Sequence, residues 1–243
     1  MYNLTDFTSK DMIQCGAAIR QAASSATSME AAACLIVQHL YRELVDSKTG
    51  QGACALVRIF KTHRLGDLDG EIKSYACSIL GDAPNFPDMQ CLTLLATAGD
   101  QPDWNDRRKS AGHRTIPLQS QQMVNQSPMI SQLVAQLGLE VNTVLHPQPE
   151  LLLDISKTTY NVFYIPHATA SPFIPAQREF VIPFHIKSVL GFGGVFPSGA
   201  LFASILFSKT FIPRQTANMF KPLALSVKVA LLPFDGCRIW ADG

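Results

Sequence analysis

Residues 180–232 read FVIPFHIKSVLGFGGVFPSGALFASILFSKTFIPRQTANMFKPLALSVKVALL. Two apolar runs, Ser188 to Val195 and Leu201 to Phe207, flank Pro197-Ser198-Gly199, whose residue types favour a tight turn. They predict a strand, a turn and a second strand. After them Pro213 opens a helix predicted to run to about Leu232. Within it Phe220, Ala224, Val227 and Leu231 recur at four, three and four residues, a heptad-like seam. Pro222 weighs against a long straight coil, since an interior proline costs ~3 kcal/mol and kinks a helix.

Upstream, the segment Phe163 to Leu190 is the richest candidate for a pocket wall. Phe163, Tyr164, Phe173, Phe180 and Phe184 surround His167 and His185, and Leu190 closes the set. Aromatic walls with few polar groups suit a flat or apolar ligand, and a neutral imidazole can ligate haem iron. The competing use of these residues is ordinary: aromatics as core, histidines bonded to backbone. Gly191-Phe192-Gly193-Gly194 lacks the spacing of a dinucleotide fingerprint and precedes a strand, where phosphate binding needs a helix. These glycines are read as letting another group approach the strand closely.

The first third opens with two amphipathic helices. Met12, Cys15 and Ile19 begin an apolar stripe on the first, which Ala22 continues. Thr27-Ser28 precedes the second, with Glu30 in its first turn where an acid suits the helix dipole. A strand follows from Ala53 to about Phe60, then a turn at Gly66 to Gly70 and a short helix through Ile72 and Ile79. Met89 to Ala98 reads as another strand. Gly99 to Gly112 is polar and is the best candidate for a mobile loop, with Arg107-Arg108-Lys109 read as a solvated turn. A short extended piece, Arg114 to Leu118, leads to a helix from Ser127-Pro128 to Gly138. Val141 to Ser156 has no clear element. Asn161 to Ile165 is a strand, and the tail from Asp235 reads as frayed or cut short.

The stretch of residues 180–232, with its "IKSVL" strand, the Gly199 turn, a strand ending at Ser208 and the closing "LALSVKVA" helix, resembles the carboxy-terminal half of a GAF domain. The likeness extends over roughly residues 160–232 and is thin across 62–158, which is longer than the family norm. It is also similar to bacterial, including cyanobacterial, sensor proteins in which such a domain precedes a histidine-kinase core. The resemblance implies an α+β fold: a central antiparallel sheet, N- and C-terminal helices on one face, and loops and short helices roofing a pocket on the other. It implies a sensory input domain that binds a small molecule or dimerises to control an output module. A covalent bilin is not expected, because none of the six cysteines neighbours a histidine.

One domain is expected over 1–243: a first helix (1–27), a core (28–212) with a long insertion at about 62–158, and a signalling helix (213–232). Met12, Cys15, Ile19, Phe220, Ala224, Val227 and Leu231 are the candidate dimer seam, or else pack on their own sheet. The ligand is unknown. Haem or another tetrapyrrole through His167 or His185 is the alternative, and a ligand-free dimerisation scaffold is another. A homodimer, a small-molecule ligand and a downstream output domain are the expected partners.

Composition excludes other classes. Lys+Arg is 20 against Asp+Glu 19, a formal net charge of +1, with no basic stripe for nucleic acid or a membrane surface. No apolar run approaches the ~20 residues of a membrane span, and no secretory signal opens the chain, so a cytoplasmic address is expected. The scattered cysteines read as small buried residues rather than a metal or redox site. His39 and Glu43, and the alternating Asp67, Asp69 and Glu71, are read as a polar helix face and as a turn with a helix cap. G-x-S-x-G, H-E-x-x-H and P-loop patterns are all missing, so no enzyme is expected and no catalytic residue is assigned.

Overall fold

The computed structural model describes residues 1–81, 86–147, 161–236 and 239–241. Its strands are β1 (Tyr2–Asn3), β2 (Leu44–Val45), β3 (Cys54–Arg64), β4 (Gln90–Gly99), β5 (Thr115–Pro117), β6 (Phe163–Ile165), β7 (Ser188–Val195) and β8 (Leu201–Ser208). Its α-helices are α1 (Ser9–Ala23), α2 (Met29–Glu43), α3 (Gly70–Leu80), α4 (Gln121–Asn125), α5 (Pro128–Gln136), α6 (Val141–Leu145), α7 (Arg214–Asn218) and α8 (Leu223–Leu231). β1 and β2 form a small parallel ribbon. The other six build one sheet in the order β5-β4-β3-β8-β7-β6, and every pairing in it is antiparallel. The fold is therefore α+β and GAF-like, as the resemblance implies.

Each face of the sheet buries a separate core, because successive side chains of a strand point to opposite sides. Val57 and Ile59 of β3, Phe192 of β7 and Phe202 and Leu206 of β8 pack under α2 and α8. Leu56, Phe60, Ala203, Ile205 and Phe207 face a roof made by α4, α5, α6 and the segment 163–186. The register of β4 slips between Ile59 and Phe60, where a bulge inserts one extra residue.

Local signals set the helix starts. Ser28 accepts a bond from the Ala31 amide at the head of α2, and Asp69 accepts one from the Ile72 amide at 2.8 Å at the head of α3. Thr8 and Asp11 form a reciprocal capping box on α1. The Asp67-Asp69-Glu71 run is thus the turn and cap that the sequence predicts.

α1 lies over α2 and α8. Ser9 Oγ reaches Met219 Sδ at 3.8 Å, and Arg20 Nη1 donates to Ser226 Oγ at 2.7 Å. Between them Gly16 sits where an added Cβ would stand 2.7 Å from Ser226 Oγ and 3.5 Å from Leu223. Contacts that advance together along both segments make α1 and α8 parallel neighbours. The glycine permits their close approach.

Three expectations need correction. The single helix predicted from Pro213 to Leu232 is two helices, α7 and α8, with turns at residues 219–222 ahead of α8; Pro222 cannot supply the amide a continuous helix needs. Phe220 accordingly sits in that turn and not in a helical seam. The 99–112 loop, expected to be mobile and solvated, is pinned: Asn105 bonds both the amide and the carbonyl of Gly99, and Trp104 lies against the roof aromatics. The tail, expected to fray, docks. Ile239 accepts the Glu30 amide at 2.8 Å, the Ala241 amide donates to Glu30 Oε2 at 3.0 Å, and the Arg107 guanidinium lies 4.3 Å from the Trp240 ring centroid. The end of the expected 62–158 insertion lies outside the described residues.

Glu30 and Arg107 form a bidentate, nearly buried ion pair, so Arg107 is not part of a solvated turn. Burial alone would raise the Glu30 carboxyl; the Arg107 bonds and the Ala241 amide outweigh it and hold it below its ordinary value. A depressed folded pKa gives stability that is present above the unfolded value and lost as pH falls through the folded one.

Two outcomes follow from this packing. Phe220 is fully buried and stacks on Phe7 at 4.4 Å, with Phe192 at 5.9 Å. Phe220→Ala is expected to lower unfolding free energy in urea by about 3–5 kcal/mol. Glu30→Ala strands a buried guanidinium and is expected to cost about 3–5 kcal/mol at neutral pH. That gap to the wild type narrows as the pH falls below about 4.5. A gap independent of pH would show that the carboxylate charge contributes nothing.

Candidate functional site

The pocket wall read from residues 163–190 divides between the two faces of the sheet. Phe163, Phe173, Phe180 and Phe184 belong to the roof core, whereas Tyr164 and Leu190 belong to the helix-face core. Strand alternation is the reason. Phe163 and Tyr164 are consecutive in β6, so they cannot share a face, and Leu190 pairs in register with Tyr164. The Tyr164 hydroxyl donates to the Ile212 carbonyl, which ties β6 to the start of the C-terminal helical segment.

His167 and His185 are both exposed, with His185 at φ 55 and the His167 ring against Phe211 at 5.6 Å. The two imidazoles thus stand at the surface and are not enclosed by the aromatic set read around them. Among the described residues no group of three or more His, Cys, Asp and Glu side chains is placed to hold a metal.

Under the roof the aromatic side chains fill one another's space. Trp104 and Phe184 meet edge-on at 4.4 Å, Trp104 and Phe180 at 5.6 Å, and Phe180 and Phe207 at 4.9 Å with an interplanar angle of 87°. Edge-to-face contacts of this kind add to the area they bury. Gln177 anchors the wide helical turn Gln177–Val181 that carries Phe180. Its amide donates to the carbonyls of Ala168 at 3.0 Å and Ile174 at 2.7 Å, and its carbonyl oxygen accepts from the Ala170 amide. Below this turn Gly191 leaves room: a Cβ there would stand 2.8 Å from Ile205 and 3.0 Å from the Phe163 ring. The expected close approach to the glycine-bearing strand is thus made by the protein's own side chains.

The candidate seam residues lie inside the protomer. Cys15, Ile19, Phe220, Val227 and Leu231 are fully covered, Ala224 nearly so, and Met12 packs partly buried against the same core. They occupy the second of the two placements considered, packing on their own core. The exposed apolar groups of this layer are others: Leu225 (65% exposed), Val229 (45%) and Leu232 (40%) at the end of the chain's helical segment, and Ile13 (65%) on α1. Burial pushes the Cys15 and Cys54 thiols up to about 12, which fits small core residues without thiolate reactivity.

Two open cavities lie away from the aromatic roof. The larger, about 320 Å³, is lined by the start of α3, Leu94, Arg107, Arg108, Arg114 and Trp240. It is rich in arginine yet internally compensated, since Arg107 pairs with Glu30 and Arg114 with Glu71 at 2.9 Å. The smaller, about 180 Å³, lies where Lys61, His63 and Gln90 meet Asp235 and Ser198. There Lys61 Nζ stands 3.5 Å from Asp235 Oδ1, to which Ser198 Oγ also donates at 3.0 Å. His63 is buried and neutral, its pKa driven well down first by burial and then by Lys61.

The third polar feature is Arg58, the one charged side chain on the roof face in the middle of β3. Its Nη2 donates to Ser110 Oγ at 3.2 Å, while its Nε is buried without a partner. Sequence reading passed over it, although a lone arginine inside Ala-Leu-Val-Arg-Ile-Phe was a visible signal.

No protein-family model matches the chain, and none of the curated proteins is significantly similar to it. Among solved structures it is similar to the GAF domain from an Acinetobacter phosphoenolpyruvate-protein phosphotransferase, at 11% identity and a TM-score of 0.43, over 93% of this chain and 95% of that one. It is also similar to the GAF domain from a phosphoenolpyruvate-protein phosphotransferase of Coxiella burnetii, at 12% identity and a TM-score of 0.44, over 94% and 98%.

Proposed function

We propose that this chain is a regulatory input domain that responds to a small molecule and controls an output module such as a histidine kinase. The observation that supports the reading is the side-by-side, parallel course of α1 and α8 on the helix face, opposite the roof. Because the two helices run parallel, the chain enters α1 at one end of this layer and ends α8 toward the other, so a shift of one helix against the other can be passed along the layer. Ligand binding on the roof side changes the balance between two arrangements of those helices only through a differential affinity for them.

A homodimer belongs to this proposal, but through a different surface from the predicted seam. Leu225, Val229 and Leu232 recur at four and three residues and, with Ile13, leave apolar side chains in water on the α1/α8 layer. A second copy of the chain offering the same stripe would cover them across a two-fold axis. Among the described residues no helix is long and apolar enough to cross a membrane, so a bilayer-spanning helix is not what this stripe serves.

The packed aromatics under the roof favour a second reading, a ligand-free dimerisation scaffold. Native mass spectrometry separates the two. The input-domain reading expects an adduct mass on protein purified under mild conditions, or one gained from a metabolite extract; a bare mass in both supports the scaffold. Sedimentation velocity tests the dimer. Wild-type protein is expected to dimerise as concentration rises, and Leu225→Asp with Val229→Asp to remain monomeric. Its unfolding midpoint should stay nearly unchanged, because both side chains are exposed. A wild type monomeric throughout, or a variant that still dimerises, removes this interface.

A further inference from the structure

Arg58 is a half-buried charge whose Nε is wholly covered. It stands on the roof face of the sheet's central strand, with Leu56 and Phe60 on either side of it along β3. In register across the sheet, Thr97 of β4 lies on one side and Ile205 of β8 on the other. The loop over it contributes Ser110, which accepts from Nη2 at 3.2 Å and itself donates to the Gly112 carbonyl at 2.6 Å. His113 follows in the left-handed region, at φ 62. Its ring is partly open to solvent, yet burial first and the Arg58 charge second lower its pKa, so it offers no negative charge in return.

Two polar atoms of this patch are orphaned together. Arg58 Nε is buried and unpartnered, and so is Oγ1 of Thr97, a residue only 5% exposed. Residues directly opposite on antiparallel strands hold their Cβ atoms about 4.5–5.5 Å apart, so these orphans are neighbours. Among the described residues no carboxylate pairs with the guanidinium, in contrast to Arg107 and Arg114, each of which has its glutamate. Burial lowers Arg58 to about 10, so it keeps its charge at neutral pH. Buried charges in folded proteins are paired, and buried donors are bonded. What is missing here is an acceptor-rich anion that takes the Nε–H bond and the Thr97 hydroxyl at once.

We propose that Arg58, with Thr97 and Ser110, forms the recognition point for an oxyanion of a small ligand, a carboxylate or phosphate oxygen, seated between β3, β4 and the 99–114 loop. The proposal deepens the input-domain reading by giving the ligand class, and it rests on that reading. Guanidinium is the side chain suited to this, since its planar fork matches both oxyanions. Only the oxyanion is specified.

The test uses sodium phosphate and sodium acetate, each against sodium chloride of equal ionic strength. In the wild type, one or both anions are expected to raise the thermal midpoint by roughly 3–6 °C at about ten times the dissociation constant. The same anion should shift the Arg58 Nε–H resonance along a saturating curve. Response to phosphate alone or acetate alone identifies the oxyanion. Arg58→Met is expected to lose the anion-dependent rise, and Thr97→Val to weaken saturation about tenfold. A wild-type Nε–H resonance that neither anion moves overturns the proposal, as does a full midpoint rise in Arg58→Met. The resonance is read on the wild type, so the test survives even if a variant does not fold. The two readings also fail differently: an uncharged adduct in native mass spectrometry with no anion response leaves an input domain without this site. Anion binding at Arg58 with no effect on an attached output module leaves the site without the regulation.

Discussion

The pairing of β3 with β8 holds the molecule together. These strands come from opposite parts of the chain, with Leu56 opposite Phe207 and Ile59 opposite Ser204. The sheet is two three-stranded meanders, β3-β4-β5 and β6-β7-β8, joined along this one seam. Each meander alone would expose a hydrophobic edge strand, a template for unwanted pairing. Joined, both strands become central and are buried on both faces, so each reads as a nearly continuous apolar run. Thr62 adds a clasp at one end, its Oγ1 accepting the Leu201 amide at 2.9 Å.

Once that seam exists, alternation assigns every side chain of β3 and β8 to a face. Val57 and Ile59 look toward α2 and α8, and Leu56 and Phe60 toward the roof. Two cores separated by one sheet can be loaded differently. The helix-face core is closed by stacked Phe7, Phe220 and Phe192, and the parallel α1 and α8 are fixed upon it. The roof core is assembled from short helices and turns held by side-chain amides such as Gln177 and Gln136. The Gln136 amide oxygen accepts the Tyr164 amide at 2.6 Å, which gives edge strand β6 a partner that is not a strand. Side-chain amides here take over bonds that neighbouring strands make elsewhere in the sheet.

Much of the architecture was legible because local chemistry specified it. Ser28, Asp69, Pro128 and Gly199 mark their caps and turns by residue type, and the β7–β8 strand limits follow from uninterrupted apolar runs. The break ahead of α8 was legible too, since Pro222 announced it, but a heptad-like spacing argued for continuity and the proline prevailed. The pocket set failed for a reason the sequence contained. Phe163 and Tyr164 are neighbours in a strand, and period two forbids them a common wall. Other features had no local signal. Glu30 meets Arg107 across 77 residues, and the tail reaches them both, Trp240 at Arg107 and the Ala241 amide at Glu30. Nothing in the composition of a solvated-looking Arg-Arg-Lys run distinguishes a buried guanidinium from an exposed one. For the dimer stripe, helical periodicity identified an apolar face but not its cover. The face with Val227 and Leu231 met the protein's own core, leaving Leu225 and Val229 outside.

The 99–114 loop joins the two sides that the sheet keeps apart. Ser110 receives Arg58 on the roof face, and three residues earlier Arg107 holds Glu30 in the first turn of α2, on which α1 rests. Asn105 and Trp104 fix the other end of the loop to Gly99 and to the roof aromatics. An oxyanion seated on Arg58 Nε and Thr97 would sit beside the Ser110 contact, in the same loop that holds Arg107 against Glu30. That pair is nearly buried and bidentate, and Glu30 also meets the backbone of Ile239 and Ala241 in the chain beyond α8. A loop anchored on both faces of the central sheet is the connection through which the proposed site would reach the helices.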